Sequence, residues 1–322
     1  MRLRLVPAET NFDFFRFRNI TMGLSIAAVI LSLAAWLVIG LNFGIDFLGG
    51  TTIRTESSQP VDIAAYRAAI ETLDLGDVSI TEVFDPTFGE GRNVAMIRIQ
   101  AQAGEESVTA DVIKAVEAAL NAYDAEMTFP SVESVGPKVS GELIMTAVLA
   151  VSAALLAILF YIWLRFEWQF SVGAIAALAH DVILTIGIFS IFQIRFDLAT
   201  IAALLTIIGY SINDTVVIFD RLRENLRKFK TVPLTEVMNK SVNETLSRTL
   251  MTSGTTLLAL IALLIFGGDV IRGFVFAIAW GVIVGTYSSV YVAKNVVLLL
   301  GVKRDWSKKT DTTGNQFGNI DA

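Results

Sequence analysis

Six stretches of this chain are apolar over about 20 residues, the length at which a helix crosses a bilayer, and that repetition removes most soluble architectures from consideration. They run over 20–41, 143–164, 170–192, 198–219, 248–266 and 273–300. With 54% hydrophobic and 17% charged residues in 322, the chain has too little polar surface to enclose them in one water-soluble core. Basic residues precede the first stretch as in a signal peptide, but its run is long enough to span, so it reads as a retained anchor. Cysteine is absent and His180 is the only histidine, which excludes disulfides and thiolate metal sites and argues against zinc.

Lysine and arginine set the orientation, because short loops rich in them stay cytoplasmic. The arm 1–19 holds Arg2, Arg4, Arg16 and Arg18, the loop 220–247 holds Arg221, Arg223, Arg227, Lys228, Lys230 and Lys240, and the tail 301–322 holds Lys303, Arg304, Lys308 and Lys309. The opposite short loops carry only Arg195 and Arg272, each near an aspartate, Asp197 or Asp269. Both termini are therefore expected inside, and the segment 42–142 outside. That segment has seventeen acidic residues against six basic ones and the periodicities of a soluble domain. Strands are expected at 51–57, 77–84, 93–100 and 127–135 and helices at 61–73 and 109–123, with a turn at Pro86, Gly89 and Gly91. The order βαββαβ suits a ferredoxin-like α+β sandwich inserted after the first span of a six-helix membrane bundle.

Within the spans the reading turns on four ionisable residues: His180 and Asp181 in the third, Asp214 in the fourth and Arg248 at the start of the fifth. An ionised carboxylate at hydrocarbon depth costs at least about 2.5 kcal/mol, so Asp214 needs a partner. It lies about five residues from the inner end of its span, roughly 8 Å deep at 1.5 Å per residue. Arg248 enters from the same side, so the two are expected to pair. Arginine suits this because it stays charged and holds a carboxylate with a fork of donors. Thr252 and Thr255 continue the Arg248 stripe at i+4 and i+7 and offer hydroxyls to water or neighbouring helices. A carboxylate opposed by low dielectric and favoured by a movable cation is a proton site, with Asp181 as a possible second relay. The alternative for the Asp214–Arg248 pair is a bridge that only fixes packing. Asp181 and His180, being adjacent, are expected to point about 100° apart rather than at each other. Gly209, Ser211, Asn213 and the Gly281, Gly285 pair read as close-packing positions. No phosphate loop, nucleotide fingerprint or nucleophile elbow is present, and nothing suggests nucleic-acid binding.

NFGIDFLGGT (42–51), VGPKVSGEL (135–143), FEWQFSVGAIAALAHDVILT (166–185), IGYSINDTVVIFDRLREN (208–225), NETLSRTLMTS (243–253), IRGFVFAI (271–278) and GTYSSVYVA (285–293) together resemble the bacterial SecD/SecF protein-export family of the resistance-nodulation-division superfamily. The resemblance covers about 12–300 and implies a six-helix bundle with a ferredoxin-like insertion. It also implies pairing with SecD, often beside YajC, at the SecYEG channel, and use of the proton gradient to draw unfolded preproteins across the membrane. In the family the aspartate of N-D-T-V and the arginine of S-R-T are implicated in proton passage and match Asp214 and Arg248. Asp181 of A-H-D-V also matches a family position. The chain lacks a SecD half, so the separate-subunit form is expected, with no cofactor beyond the coupling proton.

Two rivals make different demands. A small-molecule or lipid exporter of the same superfamily needs a roomy apolar pocket in the outer domain, which a compact acidic sandwich of about 100 residues disfavours. An intramembrane aspartyl protease needs two carboxylates at one depth, whereas Asp181 reads as mid-span and Asp214 as nearer the inner face.

Overall fold

The computed structural model describes residues 10–73, 75–76, 78–83, 93–100 and 108–302. Six helices in it are long and apolar enough to cross a membrane. The first is α1 (Arg18–Val38). A two-residue strand β1 (Asn42–Phe43) and a short helix α2 (Ile45–Leu48) follow, leading into the sheet domain. There β2 (Gly50–Ser57), α3 (Ile63–Ile70), β3 (Val78–Val83), β4 (Asn93–Gln100), α4 (Ala110–Tyr123) and β5 (Thr128–Val135) succeed one another. The chain returns to the bundle through α5 (Pro137–Arg165), α6 (Trp168–Phe192), the two-residue strand β6 (Arg195–Phe196), α7 (Leu198–Lys228) and α8 (Leu234–Phe266). The last span is α9 (Asp269–Ser288), a π-helical turn at Ser289–Ala293 and α10 (Lys294–Leu300).

The four-stranded sheet has the order β3-β4-β2-β5, all antiparallel, which is the split βαβ arrangement expected from the sequence. Alternation in NVAMIRIQ puts Ala95, Ile97 and Ile99 against Tyr66, Ile70, Val116 and Leu120 of the two helices, so one face of the sheet is covered. Asp62 caps α3 by accepting from the Ala64 and Ala65 amides, and Thr109 caps α4. The turn expected at Pro86, Gly89 and Gly91 lies outside the described residues, as do the basic tail residues and Arg2 and Arg4.

The joint between sheet and bundle is built by NFGIDFLGG. β1 pairs in parallel with β6, so the exit of α1 is tied to the α6–α7 connection. The Gly44 amide donates to the Phe196 carbonyl at 2.7 Å, and Asp46 accepts from the Leu198 amide at 3.0 Å. Phe43, Phe47, Phe189 and Phe196 stack edge to face beneath. Gly49 and Gly50 then turn the chain into β2 with φ of 73° and 129°, conformations that a side chain adopts only at a cost of about 1–3 kcal/mol each. Gly50→Ala is expected to lower stability by that amount. A thermal melt of the detergent-solubilised protein, with Gly23→Ala as the control at an open helical position, reads the difference.

Two spans run far beyond their expected bounds. The fourth continues as helix to Lys228, as its amphipathic run suggests, and the fifth begins at Leu234 rather than at residue 248. The basic segment 220–247 is thus mostly helix, with only 229–233 between α7 and α8, because ENLRK and LTEVMNKSVNETLS carry strong helix formers and Pro233 breaks the chain between them. Both helices exceed the roughly 30 Å hydrocarbon thickness and project beyond it at the end of the bundle that carries the described parts of both termini, opposite the sheet domain.

Candidate functional site

The bundle has two apolar cores and a polar layer between them. The core toward the sheet domain gathers Phe189, Leu204, Ile207, Leu260, Val275 and Val282, and the other gathers Phe170, Ala174, Phe219, Met238, Val290 and Val297. Between the two, at one level on four helices, lie His180 and Asp181 of α6, Ser211, Asp214 and Thr215 of α7, Thr249 and Ser253 of α8, and Thr286, Ser288 and Ser289 of the last span. The α7–α8 hairpin sets this register by counting: Asp214 lies fourteen residues before Lys228, and Arg248 lies fourteen after Leu234. The expectation of equal depth is met.

Asp181 is the hub of the layer. It is 0% exposed, and its Oδ2 accepts from Ser211 Oγ at 2.6 Å and from Ser288 Oγ at 2.8 Å. His180 Nδ1 meets its Oδ1 at 3.0 Å. Three helices therefore converge on one carboxylate. The sequence argument that neighbours diverge by about 100° does not hold for this pair, because the imidazole extends beyond its Cβ and swings Nδ1 back across the helix. Gly285 makes room for the hub: a Cβ there would sit 3.1 Å from the Ser211 side chain and 3.5 Å from Asp181 Oδ2. Gly281, one turn earlier, faces Ile207 so closely that any side chain would collide with it, so the small-xxx-small pair packs α9 on α7 as expected.

The π turn adds the next contact. Ser289 and Thr215 share a hydroxyl–hydroxyl bond of 2.8 Å, and Thr215 also donates to the Ser211 carbonyl at 3.2 Å. Insertion of one extra residue per turn lets the successive residues Ser288 and Ser289 both face the layer, and π turns often occur where a helix carries function. Ser253 and Thr286 join α8 to α9 at 2.7 Å.

Asp214 is treated differently. It is 3% exposed, and its Oδ2 has no hydrogen-bond partner among the described residues; Thr249 Oγ1, buried in the same layer, has none either. The expected salt bridge is not formed. Arg248 acts on Asp214 electrostatically but does not come within the 4.0 Å of an ion pair, and its side chain lies exposed on the surface of the bundle. The reason is angular. On α8 it is Thr249 that faces inward, and Arg248, one residue earlier, is turned about 100° away onto the face that Thr255 continues, with Thr252 half-buried beside it. Thr252 and Thr255 return their hydroxyls to carbonyls one turn back, Arg248 and Met251, rather than to a neighbouring helix.

Asn213 and Gly209 correct a second expectation. Both are exposed, Gly209 has nothing within 4 Å of where a Cβ would stand, and Asn213 makes no hydrogen bond among the described residues. Neither packs within this chain. With Ala199, Ala202 and Thr206 they form a small-residue stripe along the open face of α7, adjoining Arg248. Asp181 and Asp214 are also nearer in depth than the sequence suggested, since Asp181 bonds to Ser211, three residues from Asp214. The protease geometry is still not met, because both Asp181 oxygens are occupied by their own partners. No cluster of three or more metal-ligating side chains occurs among the described residues.

Residues 115–303 match the family described as protein export membrane protein SecD/SecF, C-terminal, and residues 34–61 match the SecD/SecF GG motif. The chain belongs to the SecD/SecF family. Its relatives include the protein translocase subunit SecF of Cereibacter sphaeroides, 66% identical over 100% of this chain and 99% of that one. The subunit of the same name from Rhodobacter capsulatus is 61% identical over 99% and 97%. Among solved structures, SecDF of Thermus thermophilus, a translocon-associated membrane protein, matches with a TM-score of 0.82 and 35% identity over 93% of this chain. The chain spans 40% of that SecDF polypeptide. A second SecDF structure, in a super-membrane-facing form, matches at a TM-score of 0.65 and 37% identity. The chain is thus a SecF-type, multi-pass subunit of a protein translocase, and the GG motif of the family falls on the Gly49–Gly50 joint.

The polar layer contains residues that the sequence reading passed over, Thr215, Ser288 and Ser289, and outside the layer stands a further one, Lys294. Lys294 is absent from the four ionisable residues singled out because a lysine six residues from a span's end ordinarily snorkels to the interface. Here it turns inward and is 1% exposed.

Proposed function

We propose that this chain pairs with a SecD subunit and converts proton entry into motion of the sheet domain, drawing an unfolded preprotein outward through a SecYEG-type channel, with YajC alongside. The observation that carries this reading is the contrast within the layer: Asp181 has its hydrogen bonds filled, whereas the buried Asp214 Oδ2 has none and its nearest cation waits on the open surface. A carboxylate free to change partner is the one that can accept and pass on a proton. Asp214 is the carrier, Arg248 the cation that attracts it when ionised, and Asp181 the fixed post that holds α6, α7 and α9 in register around it. Thr252, Thr255, Ser211 and Asn213 line the approaches. One charge crossing 100 mV supplies about 2.3 kcal/mol, enough to shift a two-state helix packing by more than tenfold.

The partner's place follows from cost. An arginine left facing lipid is expensive, and the stripe of Ala199, Ala202, Thr206, Gly209 and Asn213 beside it is shaped for close helix contact. SecD covers this face. The bundle end that carries the described parts of both termini also carries Arg165, Arg221, Arg223, Arg227 and Lys228, which supports a cytoplasmic location for it in the inner membrane and an outside location for the acidic sheet domain.

The test is a reconstitution of the subunit with SecD and the channel in vesicles, with ATP-driven transport measured before and after a proton gradient is imposed. Gradient-stimulated transport that collapses on adding a protonophore is expected. Transport indifferent to the gradient overturns the proposal.

A further inference from the structure

Lys294 lies at the start of α10, and its ammonium finds no hydrogen-bond acceptor among the described residues. Its surroundings are three aromatic faces: the Phe15 ring centroid at 4.2 Å, Phe14 at 5.0 Å and Tyr291 at 5.3 Å. Two of the three walls come from the segment ahead of α1. That segment crosses α8 as a strap. The Asn243 carboxamide clasps Phe12 from both sides of its backbone, accepting from the amide at 2.8 Å and donating to the carbonyl at 2.9 Å. Thr10 donates to the Asn243 carbonyl, and the Phe14 amide donates to Asn239 Oδ1 at 2.9 Å. Asp13 turns the strap by accepting from the Phe15 and Arg16 amides, and its charge acts on Lys294.

From the cage the contacts continue inward. Phe14 meets Tyr291 at 6.0 Å between ring centroids, Tyr291 meets Tyr287 at 5.1 Å, and Tyr287 stacks on His180 at 6.1 Å, which bonds to Asp181. Tyr287 also ties α1 in through Ser25 Oγ at 3.0 Å. Asn239 and Asn243 stand on α8, the helix of Arg248, whereas Tyr287 and Tyr291 stand on the segment that gives Ser288 and Ser289 to the layer. The strap is the piece that bridges the two.

We propose that Lys294 is a positioning residue that latches the amino-terminal strap, and through it α8, to the segment that aims Ser288 and Ser289 at the polar layer. The inference rests on the proton-coupled reading above. An ammonium held by π faces and the charge of Asp13, with no hydrogen-bond acceptor, is a grip that closes without a fixed partner and releases without breaking a hydrogen bond. Movement of α8 pulls on the strap through the two asparagines and uncovers Lys294; seating of the strap restores the alignment of α8 with the hub. Arginine preserves such a grip, and methionine fills the space without it.

The experiment has two arms on the assembled complex. In the first, a membrane-impermeant amine reagent is applied from the strap side and modified lysines are mapped by mass spectrometry. Lys228 and Lys240, both exposed, are expected to label, Lys294 to stay protected, and Asn243→Ala to raise Lys294 labelling by about tenfold. Equal labelling of Lys294 with and without the Asn243 clasp overturns the latch, whatever transport does. In the second, Lys294→Met is expected to cut gradient-stimulated transport by about fivefold while ATP-driven transport and complex yield are kept, and Lys294→Arg to restore it. Loss of both transport components together, or no rescue by arginine, overturns the positioning role. If Asp214→Asn leaves gradient dependence untouched, the proton reading fails on its own account, and the labelling arm still decides the latch.

Discussion

Asp214→Asn is expected to remove gradient-stimulated translocation, leaving about one tenth or less of it, while the complex with SecD assembles in normal yield. The asparagine is nearly isosteric, and because no hydrogen bond to Asp214 Oδ2 exists to be lost, stability should change little. What disappears is the ability to change charge. On the proposed mechanism an ionised Asp214 draws Arg248 inward and a protonated one releases it, so a permanently neutral side chain holds the arginine in one position. Vesicle transport with and without an imposed gradient measures the effect, and Arg248→Met should share the phenotype. Undiminished gradient dependence in the Asp214→Asn complex removes the carrier role.

Asp181→Ala should behave in the opposite way. Removing the hub leaves Ser211 Oγ and His180 Nδ1 buried without their acceptor, and Ser288 with only its bond to the Gly285 carbonyl at 3.1 Å. At about 1–3 kcal/mol for each of the two orphaned groups, the loss is about 2–6 kcal/mol, enough to lower the melting temperature and the membrane abundance of the protein. Asp181→Asn separates this from proton traffic. Its carboxamide oxygen still accepts from both serines, and its nitrogen donates to His180 Nδ1 once the imidazole takes the other tautomer. Near-normal stability and transport in Asp181→Asn, beside collapse in Asp181→Ala, identify a fixed post. A loss of gradient dependence in Asp181→Asn at unchanged melting temperature would instead place Asp181 on the proton route.

Much of this molecule is written locally. Spanning length and composition define six helices, alternation and helical periodicity define the sandwich, and depth counting along two consecutive spans places Asp214 and Arg248 at one level. These features depend on neighbours within a few residues or on the hydrocarbon thickness, and both are visible in a linear string. The motifs around Asp181, Asp214 and Arg248 also lie on helices that form the polar layer.

Which way each side chain faces was decided only by the tertiary structure. Whether Arg248 or Thr249 turns inward depends on the rotation of α8 against α7 and α9, and a shift of one residue, about 100°, separates a salt bridge from an exposed cation. Ser288 and Ser289 enter the layer because of a π turn whose extra residue leaves no periodic mark in the sequence. Lys294 is buried because a segment some 280 residues earlier in the chain folds back over it, and pairings across that separation have no signature in local propensity. The sequence by itself determined the helices, the sandwich and the level of the polar groups; helix rotation and long-range closure, which arise from packing six apolar faces together, decided which of those groups meet.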